Sequence, residues 1–128
     1  MISYTSDMKC SKEELAELFL RVNWNSGKHP DELYQSIKNS TYKLFAYDGD
    51  KLIGMVSALS DKCINLFISY LLVEPHYQNK KIGSTLLNQV IGLGNFNRVE
   101  LITDKKDRDF YLKNGFTEDG VGMFKINW

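Results

Sequence analysis

The 128-residue chain has little of what marks several protein classes. Its two cysteines, Cys10 and Cys63, lie far apart and form no Cys-x-x-Cys pair, so we expect neither a disulfide scaffold nor a structural zinc site. His29 and His76 are isolated and lack the third spaced ligand that a catalytic metal requires. A chain of this kind is expected to be cytoplasmic, with reduced thiols.

Long apolar runs and an excess of one charge are also missing. No apolar stretch reaches the roughly 18 residues of a membrane span, and the N-terminus lacks the apolar core of a signal peptide. Sixteen basic and sixteen acidic residues cancel, so the electrostatic footprint of a nucleic-acid-binding protein is absent. We therefore expect neither a membrane nor a nucleic acid as partner. The hydrophobic fraction of 43% and the charged fraction of 25% are ordinary for one globular domain, here residues 1–128.

Local patterns predict a mixed α/β fold. Ser11 and Glu14 form a capping box ahead of one helix, Pro30 can open a second, and a turn around Gly49 predicts a hairpin. The continuous apolar run over 64–73 predicts a strand buried on both faces. Strands are predicted over 2–4, 41–47, 52–59, 64–73 and 98–103, with one or two more over 116–128; helices are predicted after 11, after 30, over 82–93 and between 104 and 115.

The loop between the strand over 64–73 and the following helix carries the strongest chemical signal. The first N–H groups of a helix have no internal partner and carry the positive end of its dipole, which suits a phosphate group. Gly83 allows close approach because it has no Cβ, and Lys80 and Lys81 add positive charge. The alternative is an ordinary strand-to-helix loop with solvated lysines. Neither a nucleotide-binding GxxxxGK[ST] loop nor a GxGxxG fingerprint is present.

Two motifs in this half of the chain resemble those of the GNAT N-acetyltransferase superfamily. The first, V-x-P-x-Y-[QR]-x-x-G-x-[GA]-x-x-L-L, is matched by Val73, Pro75, Tyr77, Gln78, Gly83, Leu86 and Leu87, with Lys81 in place of its first glycine. The second, F-Y-x-K-x-G-F, is matched by Phe110, Tyr111, Lys113, Gly115 and Phe116. The resemblance covers residues 41 to the end. It implies a mixed α/β fold: a central, mostly antiparallel, twisted sheet of six to seven strands flanked by about four helices.

The resemblance also implies an activity, which is transfer of an acetyl group from acetyl-CoA to a primary amine by direct attack. Tyr111 is then the general acid that protonates the leaving thiolate. An N–H in the strand around Leu72 would polarise the thioester carbonyl. The residues implied to bind the cofactor are Leu71, Leu72, Val73, Gln78, Asn79, Lys80, Lys81, Ile82, Gly83, Ser84 and Phe110.

The acceptor is less well defined by the sequence. A small-molecule amine is expected, and Trp24, Tyr34 and Tyr70 are predicted to line an aromatic pocket for it, with core packing as the alternative. No general base is assigned, because each candidate is better explained as a solvated surface charge; the candidates are Glu32, Asp61, Glu74 and His76.

Two other hypotheses remain open. A non-catalytic module that binds acyl-CoA or CoA is favoured by Lys81. An interaction protein, dimerising through its C-terminal strands, is favoured by Phe124, Ile126 and Trp128.

Overall fold

A computed structural model describes all residues, 1–128, as one five-stranded sheet with helices on both faces. The strands lie in the order in which they occur, and all neighbours are antiparallel except β4 and β5, which are parallel. The elements are β1 (Ile2–Thr5), α1 (Lys12–Arg21), α2 (Pro30–Asn39), β2 (Tyr42–Asp48), β3 (Lys51–Ser60), β4 (Asn65–Val73), α3 (Ile82–Ile91), β5 (Arg98–Glu100) and α4 (Arg108–Lys113). No helix has the length and apolar character that crossing a membrane requires.

The predicted helix starts and the predicted turn are present in the structure. The Ser11 hydroxyl accepts from the Glu14 backbone N–H, and the Glu14 carboxylate accepts from the Ser11 N–H, which confirms the capping box. Pro30 is the first residue of α2. Gly49, at φ +60°, makes the turn between β2 and β3. These elements therefore form where local chemistry favours them.

The sheet separates two apolar layers. Side chains alternate along a strand, so Phe45 and Tyr47 of β2 pack with α1 and α2, whereas Leu44 and Ala46 pack with α3. β3 takes part in both layers, with Met55 on one face and Val56 on the other, and both are fully buried. The strand buried on both faces is thus β3.

β4 differs from the prediction that it would be buried on both faces. Its residues alternate between buried and exposed at first, and Ile68 to Leu71 then include three partly exposed positions. The reason is the short neighbour: β5 pairs only with Asn65, Leu66 and Phe67 and then departs. The remaining half of β4 has one edge without a partner strand.

The strand count is five, not the six to seven expected. Residues 116–128, predicted to hold one or two strands, contain none, and the predicted strand over 98–103 ends at Glu100. Two glycines break the C-terminal stretch, Gly120 at φ +78° and Gly122 two residues later. β5 has only three residues, so it also offers few backbone groups with which a further strand could pair.

Candidate functional site

The unpaired edge of β4 presents backbone groups to a cleft. The Glu74 N–H donates to the Ile53 carbonyl of β3 at 2.8 Å. Along a strand in an antiparallel pair, successive residues point their N–H and C=O groups to opposite sides. Leu72 therefore also points these groups toward β3, whereas Leu71 and Val73 point theirs away from it. The Gln78 side-chain amide donates to the Val73 carbonyl at 3.0 Å. The N–H groups of Leu71 and Val73 and the Leu71 carbonyl are left facing the cleft.

The first turn of α3 adds three more backbone donors. The earliest intrahelical bond is from the Thr85 N–H to the Lys81 carbonyl at 3.0 Å, so the N–H groups of Ile82, Gly83 and Ser84 have no partner in the protein. A Cβ on Gly83 would stand 3.3 Å from the Phe110 ring. Glycine therefore lets α4 pack tightly against the start of α3 and leaves the donors uncovered.

The loop before α3 contains two residues in the left-handed backbone region. Asn79 and Lys81 both have φ +65°. Asparagine tolerates this conformation, but a lysine with φ above zero is strained. Lys81 occupies the position at which the motif has glycine, and its positive φ explains that preference.

Lys81→Gly is expected to stabilise the fold. Relief of the left-handed strain contributes about 1–2 kcal/mol, and the greater freedom of glycine in the unfolded chain offsets roughly 0.5–1 kcal/mol of it. The free energy of unfolding, measured in urea, should rise by about 1 kcal/mol. Lys80→Gly is the matched control: Lys80 has no positive φ, so stability should fall. A loss of stability in Lys81→Gly would contradict the strain argument.

One cavity of about 770 Å³ brings most of the predicted cofactor residues together. Of the eleven, only Lys80 does not line it; its ammonium lies 5.4 Å from the centre of the Tyr77 ring. The sequence prediction missed several lining residues, namely Val22, Tyr77, Lys106, Asp107 and Lys113. Tyr77 belongs to the first motif and Lys113 to the second, but nothing in the local sequence pattern distinguishes Val22, Lys106 or Asp107.

The cavity lining is positively charged. Three lysines, Lys81, Lys106 and Lys113, line it together with a single carboxylate, Asp107. None of these four side chains forms an ion pair or a side-chain hydrogen bond within the protein. Unpaired cations beside free helix N–H groups form a fitting environment for a polyanion such as a pyrophosphate.

Tyr111 of α4 places a phenol in the same cavity. Its ring packs edge-on against Phe110 and Phe116, with centroids 5.0 and 5.7 Å away, and its hydroxyl makes no hydrogen bond within the protein. Burial, with a smaller contribution from the negative charge of Asp107, raises the pKa of Tyr111 to about 12. The phenol thus remains protonated and free to donate to a molecule bound in the cavity.

The three carboxylates and one histidine considered as a base lie outside the cavity lining. Glu74 is buried. Its carboxylate contacts His76 Nδ1 at 3.0 Å and accepts from the His76 backbone N–H at 2.8 Å, and both contacts lower its pKa. Three backbone N–H groups and the Asn65 amide donate to Asp61 and lower its pKa to about 2. Both carboxylates stabilise loops.

The predicted aromatic pocket is only partly assembled. Trp24 lines the cavity, but Tyr34 and Tyr70 do not. Tyr70 packs against Phe19 and Trp24, with ring centroids 5.0 and 6.0 Å away, and its hydroxyl lies 3.1 Å from the Ser26 hydroxyl. Tyr34 packs on the layer formed with α1 and α2. Tyr70 thus supports Trp24, and Tyr34 takes part in core packing.

Comparison with known proteins places this arrangement in a family. A family model described as an acetyltransferase (GNAT) domain matches residues 7–125. A GCN5-related N-acetyltransferase 2 of Arabidopsis thaliana, chloroplastic, is 34% identical over 84 residues, which are 61% of this chain and 31% of that protein. The matched region thus spans about a third of the curated relative.

Solved structures share the whole fold. A GNAT-family acetyltransferase from Streptococcus pneumoniae has a TM-score of 0.84 at 29% identity, with 99% of this chain and 98% of that chain covered. A Staphylococcus aureus protein described as a probable acetyltransferase has a TM-score of 0.87 at 24% identity and full coverage of both chains. The latter similarity shows the fold alone. With the family model spanning nearly its full length, the chain belongs to the GNAT acetyltransferase family.

Proposed function

We propose that this protein transfers an acetyl group from acetyl-CoA to the primary amine of a small molecule. The observation that carries the proposal is the cavity that combines unpaired β4 backbone donors, uncovered α3 N–H groups and the free Tyr111 hydroxyl. These are groups suited to a thioester carbonyl, a pyrophosphate and a leaving thiolate, respectively. Family membership supports the same reaction class.

The residues present fit acetyl-CoA. The N–H groups of Ile82, Gly83 and Ser84, with Lys81 beside them, would hold the pyrophosphate. The cleft edge of β4 at Leu71 and Val73 would pair with the amides of the pantetheine arm, as a neighbouring strand would. When bound, acetyl-CoA supplies an activated acyl group and a thiol leaving group.

The chemistry assigned to the chain is mainly electrostatic. A β4 N–H donates to the carbonyl oxygen as negative charge develops on it. The Tyr111 hydroxyl donates to sulfur as the carbon–sulfur bond breaks. Burial raises the pKa of Tyr111, and it disfavours a bare thiolate in the same place for the same reason. The pKa values of the phenol and the leaving thiol are therefore raised together, which keeps proton transfer between them feasible.

Asp107 is proposed to bind the acceptor. A primary alkylamine resembles a lysine side chain, with a pKa of about 10.4, and arrives as an ammonium ion. Asp107 is the one carboxylate in the cavity lining, and it is unpaired. It immediately precedes α4, lines the same cavity as Tyr111, and is close enough for its charge to act on the Tyr111 phenol. Asp107 can thus hold the ammonium in the same cavity as the Tyr111 hydroxyl.

The activity test is release of free thiol from acetyl-CoA in the presence of a panel of small primary amines. Amine-dependent thiol release with formation of the acetylated amine is expected. A non-catalytic acyl-CoA-binding module would bind acetyl-CoA in a calorimetric titration without amine-dependent release. Failure to bind acetyl-CoA at all would overturn the assignment of the cavity.

Asp107→Asn is expected to raise the KM for the amine about three- to tenfold, because a charged hydrogen bond to the ammonium is lost. The dissociation constant of acetyl-CoA should change little. Asp109→Asn is the matched control, since Asp109 is an exposed carboxylate in the first turn of α4 that does not line the cavity. Equal effects of both substitutions on KM would refute a specific role for Asp107.

A further inference from the structure

The loop of residues 74–81, here called the β4–α3 loop, carries the chain from the open edge of β4 to the free N–H groups of α3. Most of its hydrogen bonds are internal or run to the end of β4. The Tyr77 N–H donates to the Glu74 carbonyl at 2.8 Å, and the Gln78 side chain donates to the Val73 carbonyl at 3.0 Å. Such contacts fold the loop on itself but do not fix its position relative to the rest of the sheet.

Two hydrogen bonds connect the β4–α3 loop to strands other than β4. At its start, the Glu74 N–H donates to the Ile53 carbonyl of β3 at 2.8 Å. Three residues later, the Tyr77 hydroxyl donates to Oδ2 of Asp48, the last residue of β2, at 2.5 Å. No hydrogen bond or ion pair joins residues 78–81 to β1, β2 or β3. The bond between Tyr77 and Asp48 is therefore the last anchor before α3.

The residues beyond this anchor are strained. Asn79 and Lys81 both have φ +65°, a conformation that residues other than glycine keep only where the surrounding structure holds them. Lys81 directly precedes α3, so its conformation sets the direction in which the helix N-terminus faces. The Lys80 ammonium, between the two strained residues, lies 5.4 Å from the centre of the Tyr77 ring. Tyr77 thus both ends the anchored part of the loop and contacts the strained part.

Charge strengthens the hydrogen bond between Tyr77 and Asp48. Donation from Tyr77 lowers the pKa of Asp48, with smaller contributions from the Met1 ammonium and Lys51, so the carboxylate is ionised at neutral pH. A hydrogen bond to an ionised acceptor is roughly twice as strong as one between neutral groups. The Lys51 ammonium also lies 5.5 Å from the centre of the Tyr77 ring, close enough for a cation–π contact. Tyr77 is therefore held both at its hydroxyl and at its ring.

We propose that Asp48 is a positioning residue for acetyl-CoA binding: through Tyr77, it keeps residues 79–81 in the conformation that presents the first N–H groups of α3 and the Lys81 side chain. Tyr77 and Lys81 line the cavity and Asp48 does not, so Asp48 acts on the bound molecule without touching it. This inference rests on the proposed function. When the anchor is released, a smaller fraction of molecules has the loop in place, and the apparent affinity falls by that fraction.

Asp48→Ala is expected to raise the dissociation constant of acetyl-CoA about three- to tenfold, because a hydrogen bond that orders the loop is lost. kcat at saturating acetyl-CoA should be unchanged, since the saturated complex has the loop in place. Asp48→Asn keeps the shape of the side chain and an acceptor oxygen without the charge, so its effect should be smaller. Calorimetric titration of acetyl-CoA and steady-state kinetics measure the two quantities.

Asp50→Ala is the matched control. It removes an exposed carboxylate from the same hairpin turn, and Asp50 forms no hydrogen bond or ion pair within the protein. Its dissociation constant for acetyl-CoA should equal that of the unsubstituted protein. Unfolding in urea is measured alongside, because a purely structural role for Asp48 would lower the free energy of unfolding and leave the affinity of the folded protein unchanged.

A double-mutant cycle tests whether Asp48 acts through Tyr77. Asp48 Oδ1 also lies 3.5 Å from the Met1 ammonium, and the cycle separates that contact from the Tyr77 bond. Tyr77→Phe removes the hydroxyl and keeps the ring, so it should weaken acetyl-CoA binding by the same factor as Asp48→Ala. The double variant should bind no more weakly than either single variant, because both remove one bond. Effects that multiply in the double variant would overturn the proposal.

Hydrogen exchange tests the loop without any ligand. The Tyr77 and Thr85 amides, bonded to the Glu74 and Lys81 carbonyls, should exchange faster in Asp48→Ala than in the unsubstituted protein or in Asp50→Ala. Unchanged exchange would overturn the proposal. If the unsubstituted protein bound no acetyl-CoA, the proposed function would fall and this inference with it. If it bound acetyl-CoA and Asp48→Ala bound equally well, the role of Asp48 alone would be refuted.

Discussion

Tyr111→Phe is expected to lower kcat at least tenfold while the dissociation constant of acetyl-CoA stays unchanged. The substitution removes one hydroxyl that has no partner within the protein and keeps the ring between Phe110 and Phe116. A positioned general acid contributes about 10²–10⁴-fold to a rate, so the loss should be confined to turnover. Steady-state kinetics with calorimetric titration of acetyl-CoA separates the two effects.

The pH profile gives an independent check on the same residue. An ordinary phenol has a pKa near 10 and would begin to lose its proton as the pH approaches that value. With the pKa of Tyr111 raised to about 12, the protonated donor persists, so no alkaline loss of kcat due to this group is expected below pH ~11.

Tyr42→Phe serves as the control for the loss of a tyrosine hydroxyl. Tyr42 packs edge-on against Phe96, at 5.8 Å between centroids, outside the cavity. It should keep full activity. An unchanged kcat in Tyr111→Phe across the pH range would remove Tyr111 from the mechanism.

Gly83→Val should weaken acetyl-CoA binding about a hundredfold or more. The new Cβ meets the Phe110 ring at 3.3 Å, and the two methyl groups beyond it extend over the first turn of α3. Blocking two backbone donors to a charged group costs about 3 kcal/mol or more, which corresponds to that factor. Calorimetric titration of acetyl-CoA measures the effect.

Gln89→Val introduces the same residue on the exposed side of α3, away from its N-terminus. It should lower stability slightly, through the poorer helix propensity of valine, and leave acetyl-CoA affinity intact. If Gly83→Val also retained its affinity, the cofactor would have to bind elsewhere than at the start of α3.

Local chemistry made much of this fold predictable. The capping box at Ser11, Pro30 at the start of α2 and the Gly49 turn act within a few residues, so a sequence pattern is sufficient to place them. The two motifs placed Tyr111 and all but one of the expected cofactor residues in a single cavity. The prediction that Lys81 occupies a position that favours glycine agrees with its φ of +65°.

The features that escaped prediction depend on contacts between distant segments. Asp107 lies in a charge-alternating stretch that reads as a solvated surface, and only the packing of α4 against α3 brings it into the cavity. The exposure of β4 reflects the early departure of β5, which no pattern within residues 64–73 encodes. The absent C-terminal strands are a third case, because a strand requires a neighbour as well as a favourable sequence.

The unpaired lysines of the cavity have a kinetic consequence. Their fields are not cancelled by ion pairs at short range, so they extend into solvent and attract an anionic molecule before contact. At physiological ionic strength such fields are screened over about 8 Å. Added salt should therefore slow association far more than it speeds dissociation, so the ionic strength of the surroundings governs how often the enzyme captures its donor.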